Sequence, residues 1–226
     1  LGLAGAIGHD PAAALFVDGE LLAAVEEERL IRRKHAKNEM PFLAAGQCLQ
    51  IAGLRASDVT HIATPYAPVS LFSKARWHYA YRHWYAPDRS IDSLLNGNRR
   101  YRRHVKDLRI LVEKLNISNL TTELVPVEHQ LAHASSVYHL AESNEKTAIF
   151  CNDAKGEYAN IFLGYGHKGK IFKIKQFYSP DSLCGLYAAL TDYLGFETLD
   201  GEFKVMGLAA HGDSEKYDLS PLARFE

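Results

Sequence analysis

The 226-residue chain is short of several things, and each shortage removes a class of protein. Its three cysteines, Cys48, Cys151 and Cys184, lie far apart in apolar surroundings, with neither an even count nor CxxC spacing. That pattern excludes a disulfide framework and points to a reduced, cytoplasmic protein. Net charge is nearly absent, −1 with a pI of about 6.9, so no whole-chain field draws the protein to nucleic acid or an anionic membrane. Any anion specificity is therefore local. No apolar run approaches the roughly 18 residues of a spanning helix, and no basic segment precedes a hydrophobic one at the start. An initiating methionine is missing too, since Leu1 opens the chain, which suggests a trimmed polypeptide. What remains, at 47% hydrophobic, can bury a substantial core as one large domain or two small ones.

The opening LGLAGAIGHDPAAALFVDGELLAAVEEER reads as a strand, a tight turn at Gly8-His9-Asp10, a second strand, an Asp18-Gly19 hairpin and a third strand. Met40, Leu43, Ala44, Cys48 and Ile51 follow helical spacing up to Gly53, and VTHIATP looks like a buried strand. Residues 70–115 read as a helical insertion rich in aromatic and basic residues, with ten Lys/Arg against three acids from Lys74 to Arg109. A strand at TTELVPV and a helix from about His129 follow. TAIFCNDAKGEYANIFLGYGHKGKIFKIKQFYS then repeats the opening order, which makes Asp153 the counterpart of Asp10. Two β-β-β-α-β-α units facing one another, with an acid of each in the cleft, describe the duplicated ribonuclease-H-like architecture of actin and the sugar kinases, an α/β fold. The first lobe is expected over 1–146 and the start of a second, incomplete one over 147–226.

His129 and His133 are four residues apart, so a helix turns both imidazoles to one face, where they can share a metal. A pair of packing histidines is the competing reading. Strand 147–152 would run beside this helix and deliver Asp153 as an oxygen ligand, a set suited to Fe(II), Mn(II) or Zn(II). His139, almost three turns further on, is expected to be structural. His9 and Asp10 would project into the same cleft and could orient and deprotonate a hydroxyl, unless Asp10 only caps a turn. Arg29, Arg33, Lys34 and His35 stand between a strand edge and a helix start, where they could hold phosphate or carboxylate oxygens or form a solvated face. The glycines of NDAKGEY, and those around Lys204 in GEFKVMGLAAHG, could bring backbone close to phosphate, although neither stretch is a Walker A loop. The insertion, with Trp77 and Trp84, suits a lid over a polar substrate better than a single-stranded nucleic-acid surface.

The stretches GHDPAAALFVDGELLAAVEEER with RRKH, EHQLAHASS, NDAKGEY, DSLCGLYAALTDYLGF and GEFKVMGLAAHG, in this order, resemble the N-terminal part of the NodU, tobramycin and cephalosporin-type carbamoyltransferase family. The resemblance spans nearly the whole sequence. It implies a YrdC-like C-terminal domain that makes carbamoyl adenylate from carbamoyl phosphate and ATP. The part seen here would then pass the carbamoyl group to a hydroxyl of a small, glycosylated or antibiotic-like acceptor. It further implies an iron-type divalent metal on His129, His133 and Asp153, with another acidic ligand beyond residue 226. His9, Asp10 and Lys34 would be catalytic. Arg33, Gly156, Glu157 and Lys204 are candidates for nucleotide or anion binding. Ala154 stands where the family motif has glycine, and Gln130 where a histidine is common.

Two other readings compete. One is threonylcarbamoyl or hydrogenase-maturation chemistry on transfer RNA or a protein cysteine. The other is a non-catalytic binding module. Neither nucleic acid nor membrane is the expected partner, and the 226 residues alone are expected to turn over little substrate.

Overall fold

A computed structural model describes residues 1–5, 8–117, 122–141 and 145–218. The fold is mixed α/β. Strands β1 (Gly2–Ala4), β2 (Ala12–Val17) and β3 (Glu20–Glu26) form an antiparallel meander, and β4 (His61–Thr64) and β5 (Glu123–Pro126) add to it in parallel. The sheet order is β3-β2-β1-β4-β5. The β2-β3 connection is made at Asp18 and Gly19, with φ of 52° and 89°, the left-handed pair a two-residue hairpin turn demands.

Helix α1 (Glu27–Ile31) leads to α2 (Phe42–Ala52), which ends where Gly53 takes φ 66° and returns its N–H to the last turn. Ala44, Ala45, Cys48 and Leu49 of α2 pack on Leu3, Ala13, Leu15 and Ala23 of the sheet. The start of α2 is capped from outside: the buried Glu27 carboxylate accepts the N–H of Leu43 at 3.1 Å and of Ala44 at 2.7 Å. Those are two of the N–H groups a helix leaves without internal partners.

The run 70–115 divides in its packing. Helices α3 (Lys74–Arg82) and α4 (Pro87–Asn96) pair with one another, and their residues are not part of this core. Helix α5 (Arg99–Lys114) is the crossover between β4 and β5 and buries His104, Leu108, Leu111 and Val112, the last three within the core. Its arginines face out while these four, at helical spacing, face in.

After α6 (His129–Tyr138), strands β6 (Thr147–Asn152), β7 (Ala159–His167) and β8 (Lys170–Tyr178) form a second antiparallel meander, followed by α7 (Leu183–Tyr193) and α8 (Glu202–Ala209). Helix α6 packs on this sheet through Ala134 and Tyr138 against Ile149 and Phe162. The contact requires Gly166, where any Cβ would collide with the Tyr138 ring. Among the described residues no helix is long and apolar enough to cross a membrane.

Candidate functional site

His129, His133 and Asp153 converge between the start of α6 and the end of β6. His129 Nε2 lies 3.0 Å from Asp153 Oδ2 and 3.2 Å from His133 Nε2, and His133 Nε2 lies 3.9 Å from the same carboxylate oxygen. Ligand atoms about 2.1 Å from a shared ion stand about 3.0–3.4 Å apart at tetrahedral or octahedral angles, so two edges have the size one ion needs and the His133–Asp153 edge is wider. His129 Nδ1 meets the Pro65 carbonyl at 3.1 Å. Donation there leaves the Nε2 lone pair toward the centre, the arrangement found in metal-bound imidazoles. Tyr66 stacks on the His129 ring at 5.0 Å, which fixes the ring plane.

The backbone around the triangle is equally determined. Glu157 accepts the His129 N–H at 3.2 Å and the Ala67 N–H at 2.7 Å, which ties the start of α6 to the loop after β4. Gly156 lies against His129, and a side chain there would put Cβ 2.6 Å from the Ala159 carbonyl and 3.3 Å from His129 Cβ. Ala154 does not adopt a positive φ, so the alanine is accommodated without left-handed strain. Its N–H binds Asp153 Oδ1 at 2.7 Å. Gln130 is fully buried, its amide 3.4 Å from the Ala159 carbonyl.

The electrostatics pull in two directions: burial disfavours a charged His129 ring, but the Asp153 hydrogen bond and the Pro65 carbonyl prevail and raise its imidazole, while Asp153 and His133 shift toward the forms that ligate. Burial works against ionising Asp153, but the His129 hydrogen bond and charge prevail and hold its carboxyl below the usual range. Burial and the neighbouring His129 push the His133 imidazole down, toward the neutral form that ligates. Two imidazoles and one carboxylate on an accessible face, with His133 half exposed, form a donor set with open positions for a divalent ion.

A second group gathers around the 8–10 turn. His9 Nδ1 lies 2.5 Å from Asp10 Oδ2, and His35 Nδ1 lies 2.9 Å from Asp10 Oδ1. The other His35 ring nitrogen is 3.3 Å from Asp200, which also pairs with Lys34. Glu28 accepts the His35 N–H at 2.6 Å. Asp10, Glu28 and His35 present ligand atoms within 4.8 Å of one another, yet both His35 ring nitrogens face carboxylates and Glu28 is taken by backbone. His35 is thus hydrogen-bonded at both ring nitrogens and at its backbone N–H. The backbone here is strained: Asp10, His35, Ala36, Asn38 and Leu199 all have positive φ. Such conformations persist only where the surroundings over-determine them, at about 1–3 kcal/mol each.

Among the described residues no hydrogen bond or ion pair joins this second group to the His129 triangle. Of the other candidate residues, Gly156 and Glu157 adjoin His129, and Arg33 opens the loop that carries Lys34 and His35. Arg33 pairs with Glu39, and Lys204 stands near the rings of Phe203 at 5.9 Å and Phe196 at 6.0 Å. Glu157, a candidate for anion binding, spends its oxygens on backbone N–H groups. Asp200, Tyr66 and Pro65 belong to the sites but carry no sequence signal. Asp200 reaches His35 from 165 residues away, and Pro65 contributes only a carbonyl.

A family model described as the carbamoyltransferase N-terminus matches residues 1–223. An uncharacterized protein of Synechocystis sp. is 33% identical over 218 residues, 93% of this chain and 34% of its own length. The nodulation protein NolNO of Sinorhizobium fredii is 33% identical over 213 residues, 91% of this chain and 28% of its own. This chain thus spans about a third of those relatives. Among solved structures, YeaZ from Pseudomonas aeruginosa aligns with a TM-score of 0.39 at 13% identity, covering 80% of this chain and 66% of that one. The match of that model over residues 1–223, with relatives 33% identical across more than nine-tenths of the chain, means that this chain belongs to the carbamoyltransferase N-terminus family.

Proposed function

We propose that the chain carries the carbamoyl-transfer site of a longer O-carbamoyltransferase, with an iron-type divalent ion held by His129, His133 and Asp153. The observation that carries this reading is the triangle itself: two imidazole nitrogens and a carboxylate oxygen within 3.9 Å of one another, with His129 Nδ1 against the Pro65 carbonyl. A duplicated ribonuclease-H-like arrangement is supported by the two three-stranded meanders, each with an acid-bearing turn just after its first strand, at Asp10 and at Asp153.

The donor in this reading is carbamoyl adenylate, made from carbamoyl phosphate and ATP by a YrdC-like domain. The acceptor oxygen attacks the carbamoyl carbon, the new C–O bond forms, and the bond from that carbon to the phosphate oxygen breaks to release AMP. When bound, the ion supplies Lewis-acid stabilisation of the developing oxyanion. The hydroxyl proton needs a base. His9, 45% exposed and held through Nδ1 by Asp10, offers Nε2 for it, and Asp10 then faces the imidazolium that results. Lys34, paired with Asp200, supplies positive charge next to His35. The exposed rings of Trp77, Tyr81 and Trp84 near Arg82 on α3 support a polar, glycosylated acceptor, since such rings stack on sugar faces.

His129→Ala in the full-length protein tests this. Metal and carbamoyl transfer are lost together, while pyrophosphate release from ATP and carbamoyl phosphate continues. Full transfer by that variant contradicts the metal assignment.

A further inference from the structure

Asp10 does not stand alone against His9. Its other oxygen faces His35, and its backbone N–H donates to the His35 carbonyl at 2.8 Å, so one residue grips Asp10 at side chain and main chain together. Asn38 adds a second tie, donating its N–H to the Gly8 carbonyl at 3.1 Å. The loop 33–38 is therefore wrapped around the 8–10 turn. His35 is only 16% exposed at its side chain and is braced in turn: Glu28 of α1 accepts its N–H, and Asp200 accepts from its second ring nitrogen. Asp200 arrives on the segment just before α8, after Leu199 at φ 76°, an unusual conformation for a leucine. A carboxylate, an imidazole and a second carboxylate thus form one line, with Lys34 closing it at Asp200.

We infer that His35 and Asp200 are positioning residues for the hydroxyl-activating pair His9 and Asp10. Asp200 fixes the His35 ring, His35 fixes the Asp10 carboxylate, and Asp10 fixes the His9 tautomer that takes the proton. The inference rests on the reading of His9 and Asp10 as that pair, and it makes the pair depend on a residue from the far end of the described chain. The line is selective, because a doubly protonated ring satisfies both carboxylates and a neutral ring satisfies one. The charged groups around His35 favour the cation: Asp10, Glu28 and Asp200 are acidic, with Lys34 opposing.

The test compares Asp200→Asn and His35→Gln with Lys37→Ala in the full-length protein, by transfer kinetics and by nitrogen-resolved NMR of the histidine rings. Lys37 is the control because it pairs with Glu197 across the same contact, at 3.1 Å, without touching the line. In the wild type both His35 ring nitrogens carry protons at neutral pH. Asp200→Asn removes one of them and lowers kcat by about a hundredfold with KM for the acceptor little changed, since a misplaced base slows the step without weakening binding. Lys37→Ala leaves both readouts as in the wild type. Equal losses in Asp200→Asn and Lys37→Ala would reduce Asp200 to a docking contact and overturn the inference. So would a singly protonated, freely rotating His35 in the wild type. A wild type that transfers no carbamoyl group sinks the functional reading instead, and the ring spectra then decide the line by themselves.

Discussion

His104 is the most consequential single residue outside the two polar groups. It is fully buried on α5, hydrogen-bonded to Thr64 at the end of β4, with the Tyr66 ring edge-on at 5.2 Å. Burial, acting against the pull of Asp107, pushes its imidazole down to about 4. An unfolded histidine takes its proton near pH 6.5, so between there and the folded value the unfolded chain binds more protons. Stability therefore falls as pH drops through that window, by about 3 kcal/mol in all. Urea unfolding at pH 7 and at pH 5 checks this, and His104→Leu flattens the acid limb. The same residue bears on the site, because Tyr66, packed between His104 and His129, passes the order of the core to the His129 ring.

Residues differ in how plainly the sequence announces them. His129 and His133 were legible because helical periodicity alone puts them on one face, and Asp153 because a strand ends there. Glu27 was not. Within EEERLIRR it looks like one more solvated acid, yet it is buried and caps α2 through two N–H groups. Burial of a single charge inside a charged run is settled by where a distant helix begins.

At the scale of elements, the hairpins and α2 could be read directly, because Asp18-Gly19, Lys168-Gly169 and Gly53 meet backbone requirements that few other residues meet. Helix α5 is the instructive case. Its density of arginine suggested an insertion, whereas His104, Leu108, Leu111 and Val112 make it a core crossover. Charge density hid a periodicity that was present. Leu108→Ala is expected to cost about 2–5 kcal/mol, the range for truncating a buried leucine, while truncation of an exposed residue of α4 such as Leu95 costs far less. Glu27→Ala removes the cap of α2 and costs about 1–3 kcal/mol, and Glu27→Gln recovers part of it by keeping one acceptor. Thermal unfolding distinguishes both pairs.

At the scale of the whole molecule, two polar groups are built by different means. The His129 triangle is local to α6 and the end of β6, so it is rigid with the packing of Tyr138 on Gly166. The Asp10 group depends on contacts from far along the chain, Asp200 with His35 and Lys34, and the Lys37–Glu197 pair spans the same junction between the 33–39 loop and the segment before α8 without touching the group. These side chains are largely exposed except Asp200 and His35, and salt screens such pairs. Higher ionic strength is thus expected to loosen the second group while sparing the first, which hydrogen exchange at 33–38 and at 129–133 would separate. No sequence pattern signals that division, because neither spacing nor composition records which loops meet.

The central claim is that His129, His133 and Asp153 hold one divalent ion. Metal analysis of the anaerobically purified full-length protein tests it most directly, with wild type, His133→Ala and His139→Ala side by side. The account predicts a stoichiometric ion in the wild type and in His139→Ala, and its loss in His133→Ala. Metal retained in His133→Ala, or absent from the anaerobic wild type even after Fe(II) is supplied, would contradict it.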